Sequence, residues 1–135
     1  YLGMQDQFHT FNMFDCQAWY ARDVIMGKIK MPSDDEIDKD ISKWVAMEEK
    51  LENPDQMIDF QTEYTKELHS MSDYPKIDFE LIRENFKEWE HHKVEDILTY
   101  RNKSFSSPVT GSVAPIHHTP WEKAMDDSMK AFLNK

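Results

Sequence analysis

The scarcity of glycine limits the possible folds of this chain more than any other feature of its sequence. Only three glycines occur in 135 residues: Gly3, Gly27 and Gly111. A sheet-rich sandwich needs many tight turns, and most of those turns favour glycine. The glycine-rich loops that hold phosphates in dinucleotide-binding and P-loop proteins need glycines at close spacing. The sequence therefore predicts a mainly α chain, which cannot by itself bind a dinucleotide through the usual strand–loop–helix arrangement.

The spacing of apolar residues predicts about five to six helices. The first is expected over residues 11–26, buried nearly all round, with Thr10 or Asn12 as its N-cap and with Gly27 at its end. Its apolar stripe comprises Phe11, Phe14, Ala18, Ala21, Arg22 and Ile25. Residues 1–4 are short and apolar, which is typical of the remnant of a terminal β-strand.

Capping signals predict where three further helices begin. Ser33 and Glu36 form a capping-box pattern for a helix that reaches about residue 51. Asn53 before a proline starts the next helix, and Asp78 caps the one after it. The predicted inward residues are Ile37, Ile41, Trp44, Val45 and Met47, then Met57, Phe60, Tyr64, Leu68 and Met71, then Phe79, Ile82, Phe86 and Trp89. The apolar pattern continues through Val94, Ile97, Leu98 and Arg101. A last helix is expected over residues 121–133.

The charge of the chain is strongly negative and unevenly spread. Its 26 acidic and 16 basic residues give a net charge of −10, and residues 33–96 alone hold 20 acidic and 8 basic residues. Nucleic-acid binding is not expected, because a phosphate backbone needs a basic footprint. No apolar run approaches the roughly 20 residues of a membrane span. The single cysteine, Cys16, is typical of a reducing compartment, so the sequence predicts a cytoplasmic protein without membrane contact.

Six histidines raise the question of a metal site. Four of them form the adjacent pairs His91-His92 and His117-His118, and neighbouring side chains on a helix diverge by about 100°. Neither a cysteine pair nor two histidines four residues apart around a glutamate occur in the sequence. We therefore predict no metal ion. Cys16 lies within an apolar helix, where a thiol is usually inert, and is not expected to act as a nucleophile.

The beginning of the chain places a strand end, a polar loop and a helix start in succession. The loop is formed by Gln5, Asp6 and Gln7. In α/β proteins, ligands gather where strands end and where helix N-termini offer N–H groups and positive potential. The pattern suits a segment that binds the edge of a ring-shaped ligand, and it suits an ordinary strand-to-helix turn as well.

Long stretches of the sequence resemble the bacterial flavin-containing monooxygenases. The likeness is carried by YLGMQDQFHTFNMFDCQAWYARD at residues 1–23, EWEHHK at 88–93, APIHHTPW at 114–121 and DDS at 126–128. It implies the C-terminal part of an α/β flavoprotein with two dinucleotide-binding domains. Residues 1–30 would end the FAD-binding domain, and residues 31–135 would form a helical C-terminal extension. Because both glycine-rich fingerprints of that family are missing, we expect a fragment that is inactive without its N-terminal part.

The resemblance also implies an activity and a set of cofactor contacts. The complete enzyme would use FAD, NADPH and O2 to N-oxygenate small tertiary amines, converting trimethylamine to trimethylamine N-oxide. Gln5, with the main chain around Phe8 and Thr10, would meet the pyrimidine edge of the flavin. Trp89 and Arg101 would lie near NADP+ or at the mouth of the active site. None of the family's catalytic residues falls in this chain, and the histidine pairs match its motifs without a known role.

A second hypothesis is a non-catalytic, acidic helical module that binds another protein. The chain has 17 aromatic residues (8 Phe, 5 Tyr and 4 Trp), several of them on stripes without an obvious partner, which favours burial against another polypeptide. The missing N-terminal part of the same enzyme is the simplest partner, and a homodimer is the next.

Overall fold

The computed structural model describes residues 8–113, with the exception of the Thr10 side chain. This part of the chain contains α1 (Thr10–Ile25), α2 (Asp34–Glu48), α3 (Pro54–Ser70), α4 (Phe79–Glu95) and a turn of 3-10 helix, Tyr100–Asn102. The only β pairing between residues 8 and 113 is a single bridge joining Ser106 and Val113. The mainly α prediction is confirmed here. The expected strand remnant at residues 1–4 and the helix at 121–133 lie outside the described residues.

Local hydrogen bonds begin three of the helices, as the sequence predicts. The Ser33 N–H donates to Glu36 Oε2 at 2.8 Å, and the Glu36 N–H donates to Ser33 Oγ at 3.4 Å. Asn53 Oδ1 and Asp78 Oδ1 each accept a first-turn N–H at 3.0 Å. These bonds satisfy N–H groups for which the helix itself has no acceptor, and they define the start of α2, α3 and α4.

The two ends of α1 differ in how well the sequence predicts them. The N-cap is His9, whose side chain makes no capping hydrogen bond, and the predicted caps Thr10 and Asn12 lie inside the helix. At the other end Gly27 has a φ of 71°, and its N–H donates to the Val24 carbonyl at 3.0 Å. Glycine adopts this left-handed conformation without steric cost, so Gly27 ends α1 as expected.

The central helix is α3, which packs against α1, α2 and α4. Its buried side chains are Ile58, Gln61, Thr62, Thr65 and Leu68. The predicted stripe is displaced by about one position, because Met57, Phe60 and Tyr64 are only half-buried and Met71 is exposed. The buried hydroxyls of Thr62 and Thr65 donate to carbonyls four residues earlier, at 2.7 and 2.8 Å. The polar groups on this face are thereby tolerated in the interior.

The face of α1 that is buried is not the predicted apolar stripe. Its buried side chains are Met13, Cys16, Gln17 and Asp23. Phe11 and Ile25 of the stripe are 79% and 85% exposed, so the prediction that α1 is buried nearly all round is wrong for these residues. Polar partners on α3 decide the orientation, since the amide of Gln17 donates to the hydroxyl of Tyr64 at 3.1 Å.

Of the apolar residues of α2 that were predicted to face inward, Trp44 packs edge-on against Phe60 and Tyr64 of α3 at 5.3 and 5.4 Å, but most of the others do not face inward. α2 has no buried residue. Ile41, Val45 and Met47 are exposed, whereas Ile37 and Trp44 are half-buried. Among the named elements α2 contacts α3 alone, so most of its surface has no neighbour in the described part of the chain.

The apolar pattern that continues through Arg101 extends beyond the end of α4. α4 stops at Glu95, and Val94, Ile97 and Leu98 are all exposed. The Asp96 carboxylate accepts the N–H groups of Leu98 at 3.0 Å and Thr99 at 3.3 Å. Side-chain bonds of this kind compete with the helical ladder, which explains why the chain turns here.

We expect the buried face of α3, rather than α2, to determine the stability of this chain. Ile58→Ala removes a side chain with 0% exposure and should lower the free energy of unfolding by about 2–4 kcal/mol. Ile41→Ala, at a site 54% exposed, should cost less than about 1 kcal/mol. Urea unfolding of the 135-residue chain measures both values, and equal losses would contradict the assignment of the core.

Candidate functional site

A small cleft lies beside the first turn of α1. It has a volume of about 340 Å³ and is lined by Asn12 of α1, Phe86 and Trp89 of α4, and Phe105 and Pro108 of the following loop. We call it the α1–α4 cleft. The loop is held in place because the Pro108 carbonyl accepts the N–H of Asp78, the cap of α4, at 2.8 Å. The cleft is therefore a mainly aromatic and apolar site at the start of a helix.

The residue that precedes α1 is a buried, neutral histidine. His9 is 0% exposed, and its ring stacks on Phe86 of the α1–α4 cleft with 4.7 Å between centroids and an interplanar angle of 20°. Its Nε2 lies 3.1 Å from Thr62 Oγ1. Burial, with the positive charge of Arg83 nearby, lowers the pKa of His9 to about 4. The imidazole therefore stays uncharged at neutral pH.

The main chain before α1 is bound to α3. The Phe8 N–H donates to Gln61 Oε1 at 2.8 Å, and the His9 N–H donates to the same atom at 3.3 Å. A ligand that contacted the Phe8 N–H would have to share that donor with Gln61. The role of Gln61 could not be predicted from the sequence, because its partners lie 52 and 53 residues away along the chain.

The N-terminus of α1 offers positive potential from N–H groups that the helix itself does not use. The first helical hydrogen bond runs from the Met13 N–H to the His9 carbonyl at 3.0 Å, so the N–H groups of residues 10–12 have no acceptor within the helix. The first turn of α1 carries no acidic residue, and Asn12 of that turn lines the α1–α4 cleft. An electron-rich or anionic group would be stabilised at this position.

The structure places one of the predicted site residues in the α1–α4 cleft. Trp89 lines the α1–α4 cleft, as does Asn12 from the first turn of α1. The ring of Tyr100 meets Trp89 edge-on at 5.2 Å, and the guanidinium carbon of Arg101 lies 4.4 Å from the centre of the Tyr100 ring. Arg101 is exposed and does not line the cleft. Gln5 lies outside the described residues, and only the main chain of Thr10 is described.

The remaining candidate side chains are engaged in other contacts. His91 Nε2 lies 3.1 Å from Glu95, and His92 Nε2 lies 3.1 Å from Glu88. Between residues 8 and 113 no three histidine, cysteine, aspartate or glutamate side chains group in a way that could hold a metal ion. Burial, with Asp15 nearby, raises the pKa of Cys16 to about 11, so this thiol is protonated. His117 and His118 lie outside the described residues.

No helix in the described part of the chain combines the length and the apolar composition needed to cross a bilayer.

The burial of His9 predicts a loss of stability in mild acid. The unfolded state takes up a proton near pH 6.5 and the folded state only near pH 4, so between these values the unfolded state holds more protons. The stability contributed by the neutral His9 should therefore be complete above pH 6.5 and be lost progressively between pH 6.5 and pH 4, by about 3 kcal/mol in all.

Urea unfolding of the parent chain and of His9→Gln at pH 7 and pH 4 measures this effect. The acid loss in His9→Gln should be about 3 kcal/mol smaller than in the parent, because the carboxylates common to both contribute equally. His91→Gln, at an exposed site, is the matched control and should retain the parent's pH dependence. The same acid loss in all three proteins would contradict the role of His9.

No protein-family model matches the chain. It is 93% identical over 135 residues to the trimethylamine monooxygenase of Pelagibacter sp. (strain HTCC7211) and 55% identical over 135 residues to that of Methylocella silvestris. Both matches cover 100% of this chain and 30% of the relative, so the chain spans about 30% of the length of the curated relatives that it matches.

A solved structure gives the same result. The crystal structure of Tmm from Pelagibacter sp. strain HTCC7211 matches with a TM-score of 0.86 and 92% identity, over 98% of this chain and 30% of that one. Sequence and structure thus agree on the same relative. The resemblance predicted from the sequence is confirmed: along its whole length the chain is similar to part of a trimethylamine monooxygenase.

Proposed function

We propose that this chain is the C-terminal part of a flavin-dependent monooxygenase that converts trimethylamine to trimethylamine N-oxide with NADPH and O2. The observation that carries the proposal is the 93% identity over all 135 residues to a trimethylamine monooxygenase. Residues 1–30 would complete the FAD-binding domain, and residues 31–135 would form the helical extension. The catalytic residues and both dinucleotide-binding fingerprints would belong to the rest of the enzyme, without which this chain is inactive.

The start of α1 fits a flavin edge. The N–H groups of residues 10–12 have no helical acceptor, and the buried His9 Nδ1 has no hydrogen-bond partner within the described residues. Gln5, Phe8 and Thr10 would hold the pyrimidine edge of FAD, with Phe8 sharing its N–H with Gln61. Bound there, the flavin supplies the electron transfer and oxygen activation that side chains lack.

Two residues near the α1–α4 cleft fit NADP+. Trp89 offers a half-buried indole in an apolar cleft, and Arg101 offers an exposed guanidinium that forms no ion pair within residues 8–113. An arginine recognises phosphate and amide oxygens through several donors, and an aromatic ring stacks against a flat heterocycle. These residues would orient the cofactor and exclude water from the reacting centre.

The exposed apolar surfaces support contact with more protein. Phe11 and Ile25 on α1 and Ile41 on α2 are each more than half exposed. The rest of the same enzyme would cover such faces, and a homodimer is the second partner we propose. A non-catalytic interaction module would account for these faces too, but not for the identity to monooxygenases. The lone free Cys16 supports a cytoplasmic location.

A chimera tests the proposal. These 135 residues replace the matching portion of the Pelagibacter sp. (strain HTCC7211) enzyme, and FAD binding, NADPH oxidation and trimethylamine N-oxide are measured. The chimera should be yellow and form the N-oxide. Gln5→Ala should raise the Kd for FAD about five- to tenfold, as expected for one or two lost hydrogen bonds. Gln56→Ala, which changes an amide on the first turn of α3, should leave the Kd unchanged. A colourless, inactive chimera would contradict the proposed function.

Arg101→Ala tests the NADP+ contact in the same chimera. Loss of a charge-assisted hydrogen bond should raise the KM for NADPH about tenfold. Poorer retention of the oxidised cofactor should also release more hydrogen peroxide for each NADPH consumed. Lys103→Ala, a nearby exposed cation, is the matched control and should behave as the parent. If Arg101→Ala has the same KM for NADPH as the parent and releases the same amount of hydrogen peroxide for each NADPH consumed, this residue has no cofactor role.

A further inference from the structure

A buried amide of α3 holds the main chain that leads into α1. Gln61 is 4% exposed, and its Oε1 accepts the N–H of Phe8 at 2.8 Å and the N–H of His9 at 3.3 Å. If the amide were turned the other way, its NH2 group would face the N–H groups of Phe8 and His9, and no hydrogen bond could form between donors. The carbonyl oxygen must therefore face the start of α1.

The next residue of α3 holds the side chain of His9. The single hydroxyl hydrogen of Thr62 is donated to the Ile58 carbonyl at 2.7 Å, so Thr62 Oγ1 must accept at its 3.1 Å contact with His9 Nε2. This assigns the Nε2–H tautomer to His9. Its Nδ1 is then a buried acceptor without a hydrogen-bond partner among residues 8–113, at the entrance to α1.

We propose that Gln61 and Thr62 of α3 are positioning residues for the flavin: through Phe8 and His9 they fix the main chain that leads into α1. This inference rests on the function proposed above. Neither residue touches the cofactor. Their role is to make the end of the cofactor-binding segment rigid before the cofactor arrives, which lowers the ordering cost of binding.

The burial of these contacts makes them difficult to replace. Gln61 and Thr62 are 4% and 0% exposed, so water cannot take over a lost hydrogen bond without movement of the chain. Removing the Gln61 acceptor takes away the partner that the N–H groups of Phe8 and His9 share, and the main chain at these two residues is then free to shift. A ligand-binding segment displaced in this way loses the alignment of its donors and acceptors.

The test uses the chimera described above, with FAD titrated into the apoprotein and binding followed by flavin fluorescence. Gln61→Met keeps the side-chain length but removes the acceptor, and should raise the Kd for FAD about tenfold. Gln61→Glu restores an acceptor oxygen and should return the Kd to within about threefold of the parent. Recovery of the Kd for FAD in Gln61→Glu would show that the acceptor oxygen is needed, because a side chain that only fills the same space does not restore the two hydrogen bonds.

The matched control is Thr65→Val, which changes a buried hydroxyl on the same face of α3. Thr65 Oγ1 donates only to the Gln61 carbonyl of its own helix, at 2.8 Å. Thr65→Val should change the Kd for FAD less than about twofold even where it lowers the thermal stability. If Thr65→Val and Gln61→Met weaken FAD binding equally, the effect is general destabilisation and the positioning role is overturned.

Two outcomes separate this inference from the proposed function. A parent chimera that binds FAD, together with a Gln61→Met variant of equal affinity, overturns the positioning role alone. A parent chimera that binds no FAD overturns the proposed function, and the positioning role with it. If Gln61→Met does not fold, Thr62→Val replaces it in the test. This variant removes the acceptor of the His9 Nε2–H and should raise the Kd for FAD about threefold. A Kd equal to that of the parent would overturn the inference.

Discussion

The need to satisfy the polar groups buried on α3 determines how the described part of the chain is arranged. Gln61, Thr62 and Thr65 are buried on the same helix as Ile58, and α3 is the helix that α1, α2 and α4 all contact. An apolar interface tolerates some sliding, whereas a buried hydrogen-bonding group without a partner is costly. The Gln61 oxygen has its partners at the start of α1, so α1 is fixed at the end where the candidate site lies.

Local contacts could be predicted from the sequence, and the choice of buried faces could not. The caps Ser33, Asn53 and Asp78 bond to N–H groups three residues away, which the sequence displays directly. The apolar stripes of α1 and α2 were assigned inward because apolar residues favour burial. Within the described residues Phe11 and Ile25 of the α1 stripe and Ile41 of the α2 stripe are more than half exposed, and apolar surface that lacks a neighbour stays exposed whatever its pattern.

The candidate site was only partly accessible to the same reasoning. The turn before α1 was singled out from the sequence pattern, whereas Trp89 and Arg101 were predicted from the resemblance. The α1–α4 cleft brings Trp89 close to the first turn of α1. Gln61 and His9 were missed. An amide one position away from the predicted apolar stripe of α3 looks like a surface residue, and a histidine before a helix looks like an unremarkable polar neighbour. Their importance depends on a contact across more than 50 residues, which no local pattern reveals.

The long sequence separation between Phe8 and Gln61 bears on the order of events during synthesis. The amide oxygen that holds the Phe8 N–H is made 53 residues later on the ribosome. When a nascent chain has reached the end of α1, the residue that holds the start of α1, Gln61, has not yet been made. The ribosome must first add α2 and most of the first two turns of α3. Any ligand that depends on this fixed main chain can therefore be bound only after synthesis has passed Gln61.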